Sequence, residues 1–154
     1  MITFFTADAV SAEIKTRLQA ILLANDCETD IGRDVMMGRR KIPGDDQPPC
    51  IQVAEGVDDV KDQPGRVPSI LVAQMYLIDG FDICDPDHPN DKAHAMIRDI
   101  KRAIWSGQDA MTWGGKVKRV SYVGRDIAPR LDGHALVQVR VTIFVEYVED
   151  LTNP

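Results

Sequence analysis

Between Ala135 and Tyr147 the chain alternates: Val137, Val139, Val141, Ile143, Val145 and Tyr147 share one face, and Gln138, Arg140, Thr142 and Glu146 the other. A period of two predicts a half-buried strand. At about 3.3 Å per residue it spans roughly 40 Å, more than a strand in so small a domain needs. Its outer end has three options: pairing within the chain, bending at a bulge, or reaching into a neighbouring subunit. A different period governs Asp91 to Trp105, where Ala93, Met96, Ile97, Ile100, Ala103 and Ile104 form an apolar stripe opposed by Lys92, His94, Arg98, Lys101 and Arg102. That spacing predicts a helix, with Asn90 as N-cap, Asp91 in the favourable field of its first turn and Gly107 past its end.

The remaining elements follow the same logic. Val10, Ile14, Leu18, Ile21 and Leu22 predict a first helix from Asp8 to Asn25, capped by Asp8 or Thr6, with Glu13, Lys15, Arg17 and Gln19 facing solvent. Ile31 to Met37 reads as a short strand and Gly38 to Pro49 as a loop punctuated by Gly and Pro. Cys50 to Glu55 is a second short strand, followed by a polar, proline-broken stretch from Gly56 to Pro68. Ser69 to Ile78 is apolar on both faces and rich in β-branched and aromatic residues; it predicts a central strand ending at Asp79-Gly80, with a helix as the competing reading. Lys116 to Val123 is a strand, Gly124 to Gly133 a loop, and the long alternating strand closes the chain. Two helices on one face of a mostly antiparallel, mixed sheet of four to five strands bury both stripes most simply, an α+β fold in the order α-β-β-β-α-β-β.

The length of 154 residues suits a single domain over residues 1–154, because two halves would each be marginal for burial. A net charge of −6 argues against a general nucleic-acid-binding surface, which needs concentrated Lys and Arg, and so against direct DNA binding. The N-terminus has no basic residue before Lys15 and too short an apolar run for a secretory signal, and the longest uncharged apolar stretch, Val67 to Ile78, is far below the roughly 20 residues of a membrane helix. The chain reads as soluble and cytoplasmic, with no membrane partner. Cys27, Cys50 and Cys84 are odd in number, widely spaced and without a CxxC, so free and mostly buried thiols are expected.

Candidate chemistry is sparse. Asp79, Asp82, Asp85, Asp87 and Asp91, near Cys84, His88 and His94, invite a metal, but a calcium loop counted from Asp85 would place Asn90 where Gly is needed and Met96 where Glu is needed. Cys84, His88 and His94 lack a fourth zinc ligand at a known spacing. No Ser or Cys lies in a nucleophile signature, and Gly114-Gly115-Lys116 enters a strand where a phosphate loop would open a helix. The reading is therefore no catalytic residue, no cofactor site, no metal site and no enzyme. Arg33, Arg39, Arg40 and Lys41 stand apart as four cations close together at a loop of an acidic chain. They read either as an ordinary solvated loop or as a protein interface that meets an acidic surface. Trp105 and Trp113 bracket the turn after the second helix, as packing residues or interface anchors.

The layout resembles the tail terminator, or tail completion, proteins of long-tailed bacteriophages. The likeness is carried by the opening helix, Ile31 to Val35, the loop Gly38 to Pro43, the strand Pro49 to Val53, the central strand Ile70 to Ile78, the helix Asp91 to Ile104, and the paired strands Val117 to Gly124 and His134 to Tyr147. It covers nearly the whole chain by element order and patterning. It implies a non-enzymatic virion protein that forms a ring, hexameric in that family, on the finished tail tube. Such a ring stops tube growth and offers a surface for joining to the head. The implied partners are further copies of itself, the tail tube protein and the head-tail connector or neck protein, at the head-proximal end of the tail after assembly in the host cytoplasm. Another phage neck, head-completion or tail-tube component, or a small cytoplasmic ligand-binding α/β domain, stays open as an alternative.

Overall fold

The computed structural model describes residues 5–38, 43–44, 47–62, 68–129 and 135–154. In chain order it forms α1 (Ala7–Gln19), β1 (Val35–Met37), β2 (Cys50–Asp62), β3 (Ser69–Ile83), α2 (Pro89–Ile104), β4 (Arg119–Ile127) and β5 (Leu136–Asp150). The strands make one sheet in the order β1-β2-β3-β5-β4, with β1 parallel to β2 and all other neighbours antiparallel. This is the expected α+β fold in the expected order of helices and strands.

The length of β5 is used inside the chain. It pairs with β3 from Ser69↔Asp150 to Ile83↔Leu136 and with β4 on its other side, so its outer end is not free. β3 runs past the expected stop at Asp79-Gly80 for two reasons. Asp79 accepts two hydrogen bonds from Arg140 across the pair, from Nε to Oδ1 at 2.7 Å and from Nη2 to Oδ2 at 3.0 Å. Gly80 lies beneath α2, where a Cβ would stand 3.2 Å from Val139 and 3.4 Å from the Met96 sulfur, so the missing side chain lets the helix approach. Val10, Ile14 and Leu18 of α1 and Ala93, Met96, Ile97 and Ile100 of α2 share one core with Val53, Val72, Tyr76, Ile78 and the alternating β5 residues.

Other expected boundaries move. α1 ends at Gln19, well before Asn25, because Gly32 donates its N–H to the Ile21 carbonyl (2.9 Å) and packs where any Cβ would collide with the Leu18 and Ile21 carbonyls. Thr6 is the cap, its hydroxyl accepting from Ala9 N at 3.3 Å. Ile31–Arg33 is a 3₁₀ turn and only Val35–Met37 pairs as a strand. α2 starts at Pro89 with His88 in the cap position, not Asn90; proline suits the first helical turn because its missing N–H would have no partner there. β2 continues to Asp62, through a stretch read as loop, by pairing with β3 across two bulges. β4 starts later, at Arg119, and passes through Gly124 to Ile127 by a bulge at Val123.

Candidate interaction surface

Of the cations singled out in the sequence, Arg33 is exposed at the end of the 3₁₀ turn leading into β1. Arg39, Arg40 and Lys41 lie outside the described residues. Pro43, on the far side of that segment, is buried. Among the described residues no group of three or more His, Cys, Asp or Glu could hold a metal ion. His94 Nδ1 lies 3.2 Å from Arg125 Nη1, and His134 falls outside the described residues. Cys50 and Cys84 are buried and Cys27 half-buried, and none of the three is in a disulfide; burial first, then the nearby Asp34 and Asp82, push the Cys50 thiol up to about 11, which keeps it protonated. No helix among the described residues is long and apolar enough to cross a membrane.

Two charged anchors escape helical periodicity. Arg17, expected in solvent, has a side chain only 14% exposed. Its guanidinium lies 5.0 Å over the Trp113 ring and donates to the Ile104 and Ser106 carbonyls at 3.3 and 3.0 Å, while Trp113 Nε1 donates to Ile104 O at 2.8 Å. A cation and an indole thus satisfy the carbonyl end of α2, where the helix dipole is negative. Glu13 steadies this cation at 2.9 Å; burial would raise its carboxyl, but hydrogen bonds and charge from Lys116 and Arg17 bring it below the usual range. On the other side of α2, buried Asp99 accepts from Thr29 N and Thr29 Oγ1, each at 2.7 Å, and from Glu28 N at 3.2 Å. These bonds tie the turn before Arg33 to the helix.

No described helix packs on the opposite sheet face, where Ala73, Asp79 and Phe81 are nonetheless buried. Along β3 and β5 that face carries Leu71, Ala73, Met75, Leu77, Asp79 and Phe81 beside Gln138, Arg140, Thr142, Phe144, Glu146 and Val148, as the register sets them. Leu71, Met75, Leu77, Phe144 and Val148 there are half-buried, giving a partly apolar surface with no helix over it. Beyond Gly56, past the residues that pair with β1, β2 is exposed at every residue from Val57 to Asp62, and Val57 reaches 83% exposure. At the other edge, Trp105 Nε1 donates to Val120 O (3.2 Å) and Trp105 meets Tyr122 edge-on at 6.1 Å. With Lys101 and Met111 they line a shallow pocket of about 330 Å³. Sequence patterning missed the outer half of β2 and the role of Tyr122 beside Trp105, because neither a polar strand nor a single exposed tyrosine has a periodic signature. The chain matches no family model and no curated protein.

Proposed function

We propose that this protein is a structural ring subunit that caps a finished phage tail tube, ends its growth and presents a face for joining to the head. The observation that carries the reading is the sheet: one face is closed by helices, while the other face and both edges offer half-apolar and charged surface suited to contact with other proteins. A head-to-tail ring needs two different complementary surfaces on each subunit, and a sheet with two unlike edges supplies them. The resemblance in element order supplies the tube-capping role and the hexameric number; the partners are then the tail tube protein and the neck or connector protein. Tails assembled without the protein should have uncontrolled length, and tails assembled with it should carry one ring at the head-proximal end in electron micrographs. Protein spread along the tube, or absent from particles, would rule the reading out.

A further inference from the structure

The two edges of the sheet differ in charge. From Glu55 to Asp62, Glu55, Asp58, Asp59 and Asp62 stand against the single cation Lys61. From Lys116 to Ile127, Lys116, Lys118, Arg119 and Arg125 stand against the single acid Asp126. Lys61 is engaged by Asp59 at 2.7 Å and Lys116 by Glu13 at 3.1 Å. Asp58, Asp62, Lys118 and Arg119 have no ion-pair partner among the described residues and are exposed.

The register places these charges level with each other. Asp59 pairs with Ala73, Ala73 with Glu146, and Glu146 with Arg119, so one row across the sheet ends in an acid at one edge and a base at the other, on the same face. The neighbouring row, Asp58, Gln74, Val145 and Val120, lies on the other face and ends one residue from Arg119 and two from Lys118. Exposed apolar residues sit close to these rows: Val57 and Val60 on β2, Tyr122 and Val123 on β4. β2 and β4 run in opposite directions within the sheet, so a second copy set beside the first in the same orientation brings its β2 antiparallel to the first copy's β4.

We propose that the outer half of β2 in one copy docks against the β4 edge of the next, with Asp58 and Asp59 facing Lys118 and Arg119, and Val57 lying toward Tyr122. The Val120 carbonyl is already taken by Trp105, so the contact is largely between side chains. Repeated from copy to copy this is a heterologous contact, which closes into a ring or runs on as a filament according to its rotation. The contact stands on its own geometry, and only its closure into a ring rests on the tube-capping reading.

The test is sedimentation equilibrium of the full chain at low ionic strength, where exposed charges are least screened. Wild type should self-associate. Asp58→Lys with Asp59→Lys sets like charge against like, and so does Lys118→Glu with Arg119→Glu; each double variant should associate at least ~100-fold more weakly. Mixing the two variants restores opposite charge at both contacts and should restore association in alternating assemblies, a result that misfolding of either variant could not give. A wild type that stays monomeric to about 1 mM, or double variants that assemble like wild type, or a mixture that stays apart, would overturn the proposal. Filaments that respond to the reversals would keep the edge contact and dismiss the ring. A ring indifferent to the reversals would keep the tube-capping reading and dismiss the edges.

Discussion

Ile143 and Phe144 are neighbours in β5, yet they face different worlds. Ile143 is fully buried beneath the helices, whereas Phe144 lies half-buried on the face that no described helix covers. The same strands thus build a closed core on one side and a half-buried, partly apolar surface on the other. A sheet sandwiched between two helix layers would bury both residues, so the contrast separates what holds the subunit together from what it has to offer a partner.

That contrast can be broken most forcefully from the closed side. Ile143→Ala should cost about 2–5 kcal/mol, as deletion of a fully buried aliphatic does, whereas Phe144→Ala should cost about 1 kcal/mol in the isolated subunit and act mainly on assembly. Urea unfolding of both variants measures the difference; equal losses would mean that the second face is also core. Gly32→Ala should lower stability by about 3 kcal/mol in the same experiment, since its Cβ meets backbone oxygens that cannot rotate away. Asp99→Ala should cost about 2–3 kcal/mol by leaving Glu28 N, Thr29 N and the Thr29 hydroxyl without their acceptor. Arg17→Met keeps the alkyl stem but uncovers the end of α2, and should cost about 1 kcal/mol.

The smallest effect is a pH effect. Burial, the largest influence, outweighs the Ile83 N–H and Lys92 and holds the Asp82 carboxyl above the usual carboxylate range. A group whose folded value is raised favours the folded state most below its unfolded value, near 3.8, and loses that contribution as pH rises through the folded value. Asp82→Asn should therefore raise the unfolding midpoint slightly at pH 7, with the gain disappearing as pH falls below the ordinary carboxylate value. Glu13, held low, has the opposite sign, so Glu13→Gln should cost stability at pH 7 and progressively less as pH falls through its folded value.

The parts of the fold that were legible in the sequence are those whose burial is periodic. β5 alternates because it is covered on one face only, and α2 carries a single stripe because it lies flat on the sheet. The second half of β2 was illegible, since Asp58, Asp59, Lys61 and Asp62 have little intrinsic preference for strand and are held there by β3. The early end of α1 depends on Gly32, a contact that no local pattern encodes. Arg17 sits at a position that periodicity assigns to solvent, but its long side chain reaches a helix end far away in sequence. Arg33, Arg39, Arg40 and Lys41 stand out in the sequence by charge density alone, and the last three lie outside the described residues. Opposed charge across the two sheet edges needs the register of four strands, which composition does not contain.

Hydrogen exchange of the subunit, free and assembled, puts the central claim to the most direct test: that the edges and the helix-free face of the sheet are contact surface while the helix-covered face is core. Amides of β5 should be strongly protected in both states, because both of its neighbours are within the chain. Amides from Val57 to Asp62 and from Arg119 to Val123 should slow markedly on assembly. Unchanged exchange in both edge segments, with new protection confined to the helices, would contradict the account.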